Sequence, residues 1–87
     1  MTSLTSLPEV GPVLAGHLTA VGIPDAETLR EVGTHEAFLR IRAQRDPGTC
    51  LSMLTGLDAA IRGVRATALP PEVKADLRAW FRGLDRS

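Results

Sequence analysis

The sequence predicts an all-α fold, a compact domain of five short helices, and three observations support this class. Apolar residues recur at helical spacing in several segments, whereas no segment alternates apolar and polar residues long enough to predict a strand. Glycines and prolines separate these segments where helices typically end or begin. The chain also contains no tyrosine, and its β-branched residues do not cluster.

The first helix is predicted to begin at Pro12 and to end before Gly22. Proline suits the first turn because its missing amide hydrogen would be unpaired there in any case. Val10, Leu14 and Leu18 repeat every four residues and form one apolar face. Gly22 then stops the helix as a C-terminal glycine would.

Short polar residues predict where the next two helices begin. Asp25 is a candidate N-terminal cap for the second helix, which ends at Gly33. Thr34 is the candidate cap for the third helix, which runs to about Arg45. Residues 46–48 (Asp-Pro-Gly) are typical of a turn and form the clearest break in the chain.

The last two helices carry the strongest apolar patterns. Thr49 is the candidate cap of the fourth helix, which ends near Gly63. Pro70 and Pro71 start the fifth helix, whose apolar residues fall on one face. These residues are Val73, Leu77, Trp80, Phe81 and Leu84. We expect the two aromatic side chains of this helix to anchor the core.

Length and composition indicate a single domain over residues 1–87, with residues 1–5 and 85–87 frayed. Ten basic residues balance ten acidic ones, and the pI of about 6.7 lies well below the value near 9 that is typical of nucleic-acid-binding domains. No apolar run has the length of a membrane span, and the N-terminus does not resemble a secretory signal. We therefore expect a cytoplasmic protein without a membrane segment.

The sequence contains no constellation of residues that indicates catalysis. The two histidines, His17 and His35, lie on different predicted helices, and no cysteine accompanies either, so we expect no metal site. Cys50 is the single cysteine, and we expect it to be buried as a small apolar residue; a reactive thiol at a helix N-terminus is the alternative. Nucleotide-binding and hydrolase motifs are lacking. We expect neither an enzyme nor a cofactor.

The turn before the first helix invites comparison with helix-hairpin-helix elements, which bind nucleic-acid backbones or dock proteins. A phosphate-binding hairpin presents backbone amides from a glycine–apolar–glycine turn. Here the turn is Glu9-Val10-Gly11 followed by Pro12, so a carboxylate replaces one glycine. Like charges in a wet site repel by about 1 kcal/mol or more, and no basic residue precedes Arg30 to compensate. We therefore expect this turn to be a structural corner that orients the first two helices, and not a phosphate-binding site.

Basic residues cluster on two predicted helices. They lie near the end of the third helix and along one side of the fifth, where four-residue spacing aligns them. The candidate contacts for nucleic acid or for an acidic partner are Arg40, Arg42, Arg45, Lys74, Arg78, Arg82 and Arg86. The alternative is a solvated flank whose long side chains cover the edge of the core.

Motifs along almost the whole chain, in order and spacing, resemble those of one family. They are Leu7-Pro8-x-Val10-Gly11-Pro12-x-x-Ala15-x-x-Leu18, Val21-Gly22-Ile23-Pro24, Val32-Gly33, Cys50-Leu51-x-x-Leu54-x-x-Leu57-x-x-Ala60-Ile61-x-Gly63 and Leu69-Pro70. On these motifs the chain resembles the C-terminal domain of TfoX/Sxy-type DNA-transformation (competence) regulators.

The resemblance implies a helix-hairpin-helix-like (SAM-like) all-α fold, a bacterial source and a link to competence regulation, and it supplies no catalytic residues. The chain departs from the family at Ala66, where relatives usually carry tryptophan. We also expect no counterpart of the N-terminal α/β domain of the full regulators, which puts the link to competence regulation in doubt.

These observations together predict a non-enzymatic interaction module. We expect it to bind a protein partner, such as a transcriptional regulator, or a second copy of itself. Direct, sequence-independent DNA binding through the arginine-rich helix faces is the alternative.

Overall fold

A computed structural model describes residues 1–84, and this part of the chain forms five α-helices and no strand, which confirms the all-α class. The helices are α1 (Pro12–Ala20), α2 (Ala26–Val32), α3 (Thr34–Gln44), α4 (Leu51–Arg62) and α5 (Pro71–Leu84). Two short 3-10 turns, Leu4–Ser6 and Ala66–Ala68, were not predicted from the sequence.

The predicted helix ends at glycine are confirmed. Gly22 follows α1 with a φ of 86°, and the amide of Ile23 donates to the carbonyl of Leu18. Gly63 closes α4 in the same way with a φ of 75°. Each glycine adopts a left-handed conformation that a side chain would strain. Asp25 caps α2, since its carboxylate accepts from the amide of Thr28 at 2.8 Å.

The two predicted threonine caps are wrong. Thr34 lies inside the first turn of α3, and its hydroxyl donates to the carboxylate of Asp58 in α4 at 2.9 Å. The cap position of α4 is occupied by Cys50, one residue beyond Thr49. The hydroxyl of Thr49 is buried and has no hydrogen-bond partner in the described part of the chain. The hydrogen bond to Asp58 engages the Thr34 hydroxyl outside the capping role, whereas Thr49 lies one residue too early to cap α4.

Helix α4 is the centre of the fold and packs against α2, α3 and α5. Most of its circumference is buried, because small side chains allow neighbouring helices to approach closely. Its buried residues are Leu54, Gly56, Leu57, Asp58, Ala59 and Ala60. Helices α1 and α2 both pack against α3. The helix-hairpin-helix arrangement expected for α1 and α2 stays a prediction.

Phe38 of α3, and not the aromatic pair of α5, occupies the middle of the core. Its side chain is fully buried at 0 % exposure, whereas Trp80 and Phe81 are partly buried at the periphery. Both rings pack edge-on against Phe38, with centroids 5.9 Å away. His35 adds a further edge-on contact to Trp80 at 4.4 Å. The aromatic side chains of α5 therefore cover the core from one side.

The N-terminal segment, which we expected to be frayed, is held against the start of α2. The amide and hydroxyl of Thr2 both donate to the carboxylate of Glu27, and the Thr2 carbonyl accepts from the amide of Ala26. Leu4 is buried. The hydrogen bonds from Thr2 lower the pKa of Glu27 to about 2. The hydrogen bonds between Thr2 and Glu27 therefore stabilise the fold fully above the usual glutamate pKa of about 4.3. This stabilisation is lost as pH falls toward the lowered pKa, because the carboxylate becomes protonated.

The different burial of these side chains predicts graded losses of stability. Phe38→Ala is expected to lower the free energy of unfolding by about 3–5 kcal/mol, because it leaves a cavity in the core. Trp80→Ala should cost less, since part of the ring is already exposed. Leu39→Ala, a substitution at the exposed neighbour of Phe38, is the control and should stay near or below about 1 kcal/mol. Urea unfolding measures all three, and equal losses would contradict the core assignment.

Candidate interaction surface

The corner before α1 keeps the shape that a glycine would favour, although Glu9 occupies it. Glu9 has a φ of 68°, the one left-handed conformation of a non-glycine residue among residues 1–84. Val10 points into the core, and Gly11 occupies the cap position of α1. Pro12 takes the first helical position, as predicted. The predicted turn is thus present, with its strain concentrated at Glu9.

A cation compensates Glu9, contrary to our expectation from the sequence. The guanidinium of Arg65, beyond α4, lies 3.2 Å from the carboxylate of Glu9. The two groups border an open pocket of about 500 Å³ that is otherwise lined by residues 5–11. The pairing was missed because 56 residues separate the partners and no local pattern signals it. The charge of Glu9 is therefore balanced, and the ion pair links the turn before α1 to the segment after α4.

An apolar groove lies next to this corner, and residues at the start of α1 and at the start of α4 line it. It has a volume of about 380 Å³. The groove is lined by Gly11, Pro12, Val13, Leu14, Ser52 and Met53. The Val13 side chain is 75 % exposed at its edge, the most exposed large apolar group after the N-terminal Met1. Sequence periodicity did not identify this groove, because it marks buried faces and not exposed ones.

The groove continues into the exposed side of α1, here called the α1 face. It consists of Pro12, Val13, Gly16, Thr19 and Ala20. No residue of α1 is an acid, a lysine or an arginine. The hydroxyl of Thr19 donates to the carbonyl of Ala15 at 2.9 Å, so its hydrogen is already used within the helix. The α1 face therefore offers an apolar, uncharged surface to solvent, with its polar group satisfied.

The arginines of α3 are partly engaged within the domain. Arg40 forms an ion pair with Glu36 at 2.9 Å and also reaches the backbone carbonyl of Val21. Arg45 donates to the imidazole of His17 in α1 at 3.4 Å. Arg42 is partly buried. These contacts fasten the end of α3 to α1 and its C-terminal loop, which is a structural use of residues that we proposed as binding contacts.

The basic residues of α5 are more available. Arg78 and Arg82 are exposed, and neither has an ion pair within residues 1–84; Lys74 is partly buried. Arg86, the last residue of the predicted stripe, lies outside the described residues. The α5 cations therefore remain candidates for binding an anionic partner.

A polar cluster around Asp58 joins α3 to α4. The buried carboxylate of Asp58 accepts from Thr34 and from Arg62, the latter at 2.7 Å. A small pocket of about 190 Å³ beside it is lined by His35, Asp76 and neighbouring residues. The two donors satisfy the buried carboxylate of Asp58. The hydrogen bond from Thr34 also holds α3 on α4.

The expectation of a buried cysteine is wrong. Cys50 is exposed at the cap position of α4, because the turn at residues 46–48 delivers the chain to the helix at the surface. His17 and His35 belong to different clusters, one with Arg45 and one with Trp80. Among the described residues, no three histidine, cysteine or acidic side chains group as a metal ion would require. No helix in residues 1–84 is long and apolar enough to cross a membrane.

The fold and its surface define a small all-α domain with an uncharged helix face beside helices that carry many charges. Residues 1–81 match the family model of the TfoX C-terminal domain, and the chain belongs to this family. The family is of a regulatory type and is not a known enzyme family. No curated protein was found to match the chain.

Two crystal structures resemble the domain closely. One is an uncharacterized protein from Listeria monocytogenes in a triclinic form, with 36 % identity and a TM-score of 0.93, covering 97 % of this chain and 94 % of that one. The other is a protein of unknown function from Listeria monocytogenes in a tetragonal form, also 36 % identical, with a TM-score of 0.90 over 94 % of this chain and 99 % of that one. Both support the fold.

The strained corner predicts different outcomes for two substitutions at Glu9. Both Glu9→Gly and Glu9→Ala remove the ion pair with Arg65, a surface pair worth about 0–1 kcal/mol. Only glycine relieves the left-handed backbone, so Glu9→Gly should be more stable than Glu9→Ala by about 1 kcal/mol. Urea unfolding measures the difference, and Arg65→Ala reports the ion pair alone. Equal stability of the two variants would show that the corner relaxes around alanine.

Proposed function

We propose that the domain is a non-enzymatic interaction module of a regulatory protein, and that it binds a protein partner or a second copy of itself through the α1 face and the adjoining groove. The observation that carries this proposal is the exposed apolar surface centred on Val13. Exposed apolar surface that borders polar residues is typical of protein-binding sites on small domains. The absence of lysine and arginine from α1 favours protein contact over phosphate contact.

Membership of the TfoX C-terminal family gives the interaction a regulatory setting. We propose a partner in the control of competence for DNA transformation, such as a transcriptional regulator, and a cytoplasmic site of action. The Glu9–Arg65 pair supports the same assignment, because a neutral, bridged corner serves to position α1 and offers little attraction to phosphate.

The proposal is tested by affinity capture with a charged variant of the α1 face. Val13→Lys places an ammonium group in the middle of the apolar surface, and burying an unpaired charge disfavours binding. The immobilised wild-type domain should retain specific proteins from a lysate of its source cells, and Val13→Lys should lose them. Ala43→Lys adds the same charge at an exposed position of α3 and serves as the matched control. Equal retention by both variants would exclude the α1 face as the binding surface.

Direct DNA binding remains the second candidate, because Arg78 and Arg82 are exposed and unpaired within the described chain. A fluorescence titration with duplex DNA at about 50 mM salt tests it, since phosphate contacts release counterions and weaken steeply as salt rises. Arg78→Gln together with Arg82→Gln should then abolish the signal. If micromolar wild-type protein gives no salt-dependent binding in this titration, direct DNA binding is excluded.

A further inference from the structure

We draw no further inference here: the strongest candidate, the exposed apolar side of α1 around Val13 together with the adjoining groove, carries nothing beyond the proposed function because nothing in the structure shows what covers it.

Discussion

The burial of α4 on most of its sides is the constraint on which the rest of the structure depends. Three helices and a 3-10 turn surround it, which is feasible because Gly56, Ala59 and Ala60 occupy so little volume. Burial of the same helix brings the carboxylate of Asp58 inside, where Thr34 and Arg62 satisfy it. Removing either donor would leave a charged group poorly compensated in a dry environment. The register of α3 on α4 is thereby fixed by a polar contact inside an apolar core.

The same arrangement determines which surfaces remain free. In helices α2, α3 and α5 most large apolar residues pack into the core, and charged residues are exposed to solvent. Helix α1 lies at the margin, with only Leu18 fully buried among its residues and Leu14 and Ala15 partly so. It keeps apolar residues on its outer side as well. The candidate interaction surface therefore lies on α1 because this helix has more apolar residues than the small core covers.

Features set by neighbouring residues in the sequence could be predicted, and features set by distant residues could not. Gly22, Gly63 and Asp25 act through hydrogen bonds within a few residues, so their roles followed from local rules. The roles of Thr34 and Cys50 did not, because packing against α4 and the path of the preceding turn decide them. The outer face of α1 was missed for a related reason. Periodicity shows which side of a helix is apolar, and on α1 both sides are.

The ion pair between Glu9 and Arg65 also constrains the order in which the domain forms. Its two halves are separated by most of the chain, so a ribosome that has released only the first three helices holds a corner without its counter-ion. Bringing residues so far apart in sequence together costs conformational entropy, and this cost is offset only when α4 packs and places Arg65 next to Glu9. The turn that begins the domain in sequence therefore gains its counter-ion only after α4 has docked, whereas the packing of α1 against α3 does not depend on Arg65.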